Sequence, residues 1–196
     1  MKKVITFIII LAISVGIGFS WTKMEDYVTK KLHPMKYYEY VEKYSEEYAV
    51  PREVVFAVIK SESSFVSDAI SSKGAVGLMQ VMPSTFEWLC TKTGDAPDVN
   101  MLYAPEVNIK YGTYLLSYLY SRFGVWETAF AAYNAGEGRV KGWLSDERYG
   151  KDGRLIDIPF EETETYVKRV TENVKVYSEL LAREDKEKRE KVPVIK

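Results

Sequence analysis

Apolar residues return at alternating spacings of three and four along two long stretches of this chain, a rhythm that suits helices and excludes strands. In the last of them, Thr163, Val167, Val170, Val174, Tyr177 and Leu181 form a core-facing stripe along about five turns. Tyr37, Val41, Tyr44 and Tyr48 repeat the pattern, with Glu39, Glu42, Lys43, Glu46 and Glu47 off the stripe. Ile109, Leu115, Leu116, Leu119 and Phe123 supply another core surface, in a helix opened by Pro105 and ended by Gly124. Gly112 sits inside that helix, and close approach of another helix is the expected reason. No repeats and no convincing strand pairs appear. The expectation is an all-α, compact helical domain over residues 34–182, followed by a charged tail over 183–196.

Hydrophobic residues make up 46% of the 196, enough to give one domain of roughly 150 residues a true core. The net charge of −1, with Lys and Arg spread along the chain, leaves no footprint for nucleic acid. A single cysteine, Cys90, and a single histidine, His33, argue against zinc sites, a disulfide framework and Ser-His or Cys-His catalysis. Cys90 lies among Phe86, Trp88 and Leu89 and reads as a core thiol. No metal or cofactor is expected.

After Met1-Lys2-Lys3, the 18 residues from Val4 to Trp21 carry no charge. As a helix they measure about 27 Å, just long enough to cross the hydrocarbon core of a membrane. Residues 1–21 are therefore expected to be a single-pass transmembrane anchor, with 22–33 as a short stalk and the domain on the extracytoplasmic side. A cleaved signal peptide is the competing reading, with Gly16, Gly18 and Ser20 as the small residues near its end but no A-x-A pattern.

Chemistry concentrates in residues 60–86, KSESSFVSDAISSKGAVGLMQVMPSTF. Val55, Val58, Ile59 and Glu62 share a helical face, which sets a carboxylate on or beside apolar surface. Partial burial would raise its pKa, as a general acid at neutral pH requires; a solvated glutamate at a helix end is the plain alternative. Downstream, Ser71, Ser72, Gly74 and Gly77 mark a shaped loop, closed by Gln80 and Pro83. Tyr133 and Asn134 precede Gly136 and Gly138, so a helix end presents them. Tyr44, Tyr48 and Tyr177 read as core; Trp126 and Trp143 fit either core or groove.

Four blocks, ESSF, SSKGAVGLMQVMPSTF, AAYNAGEGRVKGW and IPFEETETYV, together resemble the catalytic domain of soluble lytic transglycosylases, which has a goose-lysozyme-like helical fold. The resemblance covers roughly residues 37–181. It implies cleavage of the β-1,4 bond between N-acetylmuramic acid and N-acetylglucosamine in peptidoglycan, leaving a 1,6-anhydromuramoyl end. By motif match Glu62 would be the acid and then the base. Ser71, Gln80, Met82, Tyr133, Asn134, Glu162 and Tyr166 would bind or wall the glycan. The domain is expected to act as a monomer on peptidoglycan strands, next to a membrane held through residues 4–21. Val66-Ser67-Asp68 depart from the family's usual turn after the first block. Two other functions remain in view: a hydrolytic, lysozyme-type muramidase, and a catalytically silent peptidoglycan-binding or assembly protein.

Overall fold

The computed structural model describes Met24, residues 27–96 and residues 98–191. The expected anchor over 1–21, residues 22–23 and 25–26 of the expected stalk, and residues 192–196 of the tail lie outside the described residues. The chain divides into two compact units after Pro34. In the first, residues 27–32 are helical, where the sequence suggests an aperiodic stalk. These residues are mostly exposed, so the helix rests on local bonding and the propensity of residues such as Lys and Leu rather than on an apolar stripe.

From Met35 onward most of the described chain is helical. Helix α1 (Tyr38–Tyr48) buries Val41 and Tyr44 and stops where Ala49 turns left-handed ahead of Pro51. Tyr37, assigned to the stripe by its spacing, lies just outside this helix at φ 61. Helix α2 (Arg52–Ser63) buries Val54, Val55, Phe56, Ala57, Val58 and Ile59 in succession. The amphipathic reading is thus too narrow, because α2 is surrounded over its middle. Helix α7 (Glu161–Lys191) packs along α2, stacking Tyr177 on Phe56 at 5.3 Å. It buries Thr163, Val167, Val170, Tyr177 and Leu181 from the predicted stripe and runs on through most of the charged tail as an exposed extension.

Between these lie α3 (Pro83–Thr93), a 3₁₀ turn (Val99–Tyr103), α4 (Pro105–Phe123), α5 (Trp126–Ala135) and α6 (Glu137–Leu144). Proline opens α3 and α4; a left-handed glycine, Gly94 or Gly124, ends each. Cys90 is buried, 1% exposed. Trp143 packs edge-on against Phe160, and Trp126 stacks between Tyr120 and Phe130, so both tryptophans serve packing.

One departure from the all-α expectation is small. Strands β1 (Gly150–Lys151) and β2 (Arg154–Leu155) pair as an antiparallel hairpin within the irregular segment before α7. Two residues per strand are too few for any alternation to register in sequence.

The loop between α2 and α3 packs on α4. A Cβ at Gly112 would stand 2.5 Å from Sδ and 2.7 Å from Cβ of Met79. The close neighbour is therefore this loop rather than a second helix.

Candidate active site

Glu62 occupies the last turn of α2, and the chain is forced out of the helix just beyond it. Ser64 and Phe65 both take left-handed φ values, 50° and 68°, an unusual conformation for a phenylalanine. The hydroxyl of Ser63 bonds across to the loop, donating to the Leu78 carbonyl at 2.8 Å and accepting from the Phe65 N–H at 3.2 Å. Thus the end of α2 and the glycine loop are tied together at the residue following the carboxylate.

The loop is held from beneath by Asn108 on α4, which is 1% exposed. Its Oδ1 accepts from the Met79 N–H at 2.8 Å, while Nδ2 donates to the carbonyls of Val76 at 2.8 Å and Leu102 at 2.9 Å. Gly77, at φ +80°, admits this asparagine: a Cβ there would lie 2.3 Å from Asn108 Nδ2. Gln80 is itself left-handed at φ 48° and donates Nε2 to the carbonyls of Ala69 and Gly77. Tyr133 donates its hydroxyl to the Met79 carbonyl at 2.7 Å.

A cavity of about 560 Å³ opens where α2, the loop, the end of α5 and the first turns of α7 converge. Six of the residues singled out in the sequence line it: Glu62, Ser71, Gln80, Asn134, Glu162 and Tyr166. Ser71 Oγ accepts the Ala75 N–H at 3.0 Å, shaping the loop, and Asn134 Oδ1 accepts from Thr163 at 2.8 Å. Glu162 is exposed and pairs with Lys73 at 3.5 Å across the mouth. Met82 and Tyr133 are not in this lining. Met82 precedes α3, 37% exposed, and Tyr133 lines a separate cavity of about 220 Å³ beside Trp88 and Tyr118.

Burial sets the electrostatics. Removal from water pushes the Glu62 carboxyl up to about 7, against the weaker opposing pull of the Tyr166 hydroxyl and then of the Arg169 charge. Tyr166 is 3% exposed; its hydroxyl faces Glu62 without completing a hydrogen bond. Both Tyr166 and Tyr133 are held far above the ordinary tyrosine range, first by burial and next by the nearby Glu62 charge. Both phenols therefore stay protonated, and Glu62 is poised to hold or release a proton near neutrality.

Four further residues line the cavity: Ser61, Glu161, Thr165 and Arg169. Their signal was present in the sequence, since Glu162, Tyr166 and Arg169 follow at four and three, and Glu161, Thr165 and Arg169 at four and four. Among the described residues, no three His, Cys, Asp or Glu side chains could share a metal ion. None of the described helices is long and apolar enough to cross a membrane.

Residues 39–156 match the transglycosylase SLT domain. The chain belongs to that family. It is 35% identical over 154 residues to the soluble lytic murein transglycosylase of Escherichia coli strain K12, covering 76% of this chain and 24% of that one. It is 31% identical to the membrane-bound lytic murein transglycosylase C of Edwardsiella ictaluri, over 68% of this chain and 38% of that one. The SLT chain thus spans about a quarter of the soluble relative's length. In structure it is similar to an inactive glutamate-to-glutamine mutant of the lytic transglycosylase Slt from Pseudomonas aeruginosa, with a TM-score of 0.69 and 36% identity over 76% of this chain and 25% of that one. The SLT fold here is the lysozyme-like helical one.

Proposed function

We propose that this SLT-family chain is a peptidoglycan lytic transglycosylase, and that Glu62 is its acid and then its base. The observation that carries the reading is one carboxyl, lifted to about 7 by burial, in a cavity where the protonated Tyr166 faces it. The protonated acid donates to the glycosidic oxygen as the bond between N-acetylmuramic acid and N-acetylglucosamine breaks. Positive charge grows on the sugar ring, and in many glycosidases a second carboxylate answers it. Glu161 and Glu162 line the cavity, but both are exposed, and Glu162 is paired with Lys73. The substrate's own 2-acetamido oxygen takes that part instead. Glu62, now ionised, removes the proton from the C6 hydroxyl, which attacks the anomeric carbon and closes the 1,6-anhydro ring. An internal nucleophile already in place needs no ordered water, an advantage in entropy.

Ser71, Gln80, Asn134, Glu162 and Tyr166 bind and orient the strand in this scheme. Tyr133 acts one step back, by fixing the Met79 carbonyl, and Met82 extends the groove. The enzyme is taken to be monomeric over residues 34–182, held to the outer face of the membrane by residues 1–21 through the stalk at 22–33. The membrane-bound name of one relative supports such a location.

The test is Glu62→Gln assayed on intact peptidoglycan, with products read by mass spectrometry. The parent chain is expected to release muropeptides lighter by one water than reducing-end products. The variant should bind glycan but lose at least about a thousandfold in turnover. Reducing ends from the parent would mark a hydrolytic muramidase, and no release at all would mark a binding protein.

A further inference from the structure

Arg169 has no part in the chemistry above, yet it stands in the same cavity as Glu62. It lies three residues beyond Tyr166 on α7, about 5 Å along the helix axis from the tyrosine that faces the carboxyl. Its guanidinium carbon sits 5.7 Å from the centroid of the Tyr166 ring, a placement that holds the planar group against the cavity wall. Its charge reaches the reacting centre, since it is one of the influences on Glu62.

Two lysines of the neighbouring surface are occupied. Lys73 pairs with Glu162, and Lys168 with Glu164. Arg169 pairs with no carboxylate among the described residues, although its side chain is exposed to the cavity. A guanidinium presented on an aromatic face, with its hydrogen-bond donors uncommitted, is suited to a planar anion.

Resting on the reading of this site as a peptidoglycan-cleaving one, we propose that Arg169 is a specificity residue: it binds a carboxylate on the muramic acid substituent beside the cleaved bond. Muramic acid differs from its neighbour sugar by a lactyl ether extended into a peptide, and that peptide carries carboxylates. Arg169 thereby distinguishes strands whose peptide carboxylates are free from strands in which they are amidated. Hydroxyl and acetamido groups repeat on both sugars and cannot supply this distinction.

The experiment measures binding by calorimetry, with the full chain carrying Glu62→Gln so that no substrate is consumed. The probes are glycan fragments with native peptide stems, and the same fragments with their carboxylates converted to methylamides. Blocking the carboxylates is expected to weaken binding about tenfold, and adding Arg169→Gln to weaken binding of the native fragment by a similar factor. With Arg169→Gln present, blocking should then change affinity less than about twofold. Arg169→Lys should keep part of the preference, because it retains charge but not the planar fork.

Equal weakening by blocking in the presence and absence of Arg169→Gln would overturn the inference, as would unaltered affinity of the Arg169→Gln protein for native fragments. Should that variant fail to fold, blocking without effect on the Glu62→Gln protein overturns it alone. The readout is binding to a protein that need not react, so failure here leaves the anhydro-product test of the reaction untouched. Conversely, failure of that test leaves the carboxylate preference standing.

Discussion

The loop over 66–82 and the segment over 145–160 are made of similar material, rich in Gly, Ser and Asp, yet their physical states differ. In the loop, Val66 and Ile70 are exposed, but Val76, Leu78, Met79 and Val81 are no more than 4% exposed, and backbone groups there are bonded by Asn108, Ser63, Gln80 and Tyr133. In the segment, Ile156 is 58% and Phe160 46% exposed, and the bonding is mostly local, through Asp146, Arg148 and the two-residue strands. What separates them is a buried polar side chain supplied by another helix. Asn108 gives the loop internal partners for backbone groups that water would otherwise have to reach, so the loop can be buried and still hold one shape.

The comparison breaks first at Asn108. Asn108→Leu strands the Met79 N–H and the Val76 and Leu102 carbonyls, and should cost about 3–5 kcal/mol in denaturant unfolding, with activity lost even where the domain remains folded. A cost under about 1 kcal/mol would mean that the loop does not depend on it.

The next effect is smaller and depends on pH. The unfolded-state carboxyl of Glu62 titrates near its ordinary 4.5, and the native one near about 7. Between these values the folded protein keeps a proton that the unfolded chain has lost. Stability contributed at this site therefore falls as pH rises from about 4.5 to about 7, then levels off. Glu62→Gln, which cannot ionise, should be more stable than the parent by about 1–3 kcal/mol at pH 8 and nearly equal to it at pH 4. Thermal unfolding at both pH values checks the sign, and a variant destabilised at pH 8 would contradict the burial of this charge.

At the other end of the scale, Ile156→Ser in the exposed segment should shift stability by no more than about 0.5 kcal/mol. A larger loss would show that the segment is anchored in the way the loop is.

Much of this was legible in the sequence. Helical spacing located the faces of α1, α4 and α7, and proline and glycine marked the ends of α4, because those signals act locally. Glu62 stood out as a charge on an apolar face. Loop geometry was less accessible: Gly112 was visible as an anomaly, but its neighbour Met79 is distant in sequence. Asn108, four residues before Gly112 on the same face, went unread because a lone polar residue in an amphipathic helix looks solvated until its partners are known. Met82 and Tyr133 belong to the matching blocks but sit outside the main cavity, since motif membership says nothing of which side of a wall a side chain faces. Arg169 lay beyond the blocks and was passed over, although its spacing from Tyr166 placed it on the same face of α7.

The most direct measurement is the titration of Glu62 itself, followed by NMR of a carbon-labelled carboxyl in the folded chain. A midpoint of about 7 is the predicted result, set by burial against the weaker opposing pull of Tyr166 and Arg169. A midpoint near the ordinary 4.5 would contradict the account, because the carboxyl would then be ionised at neutral pH and have no proton to give.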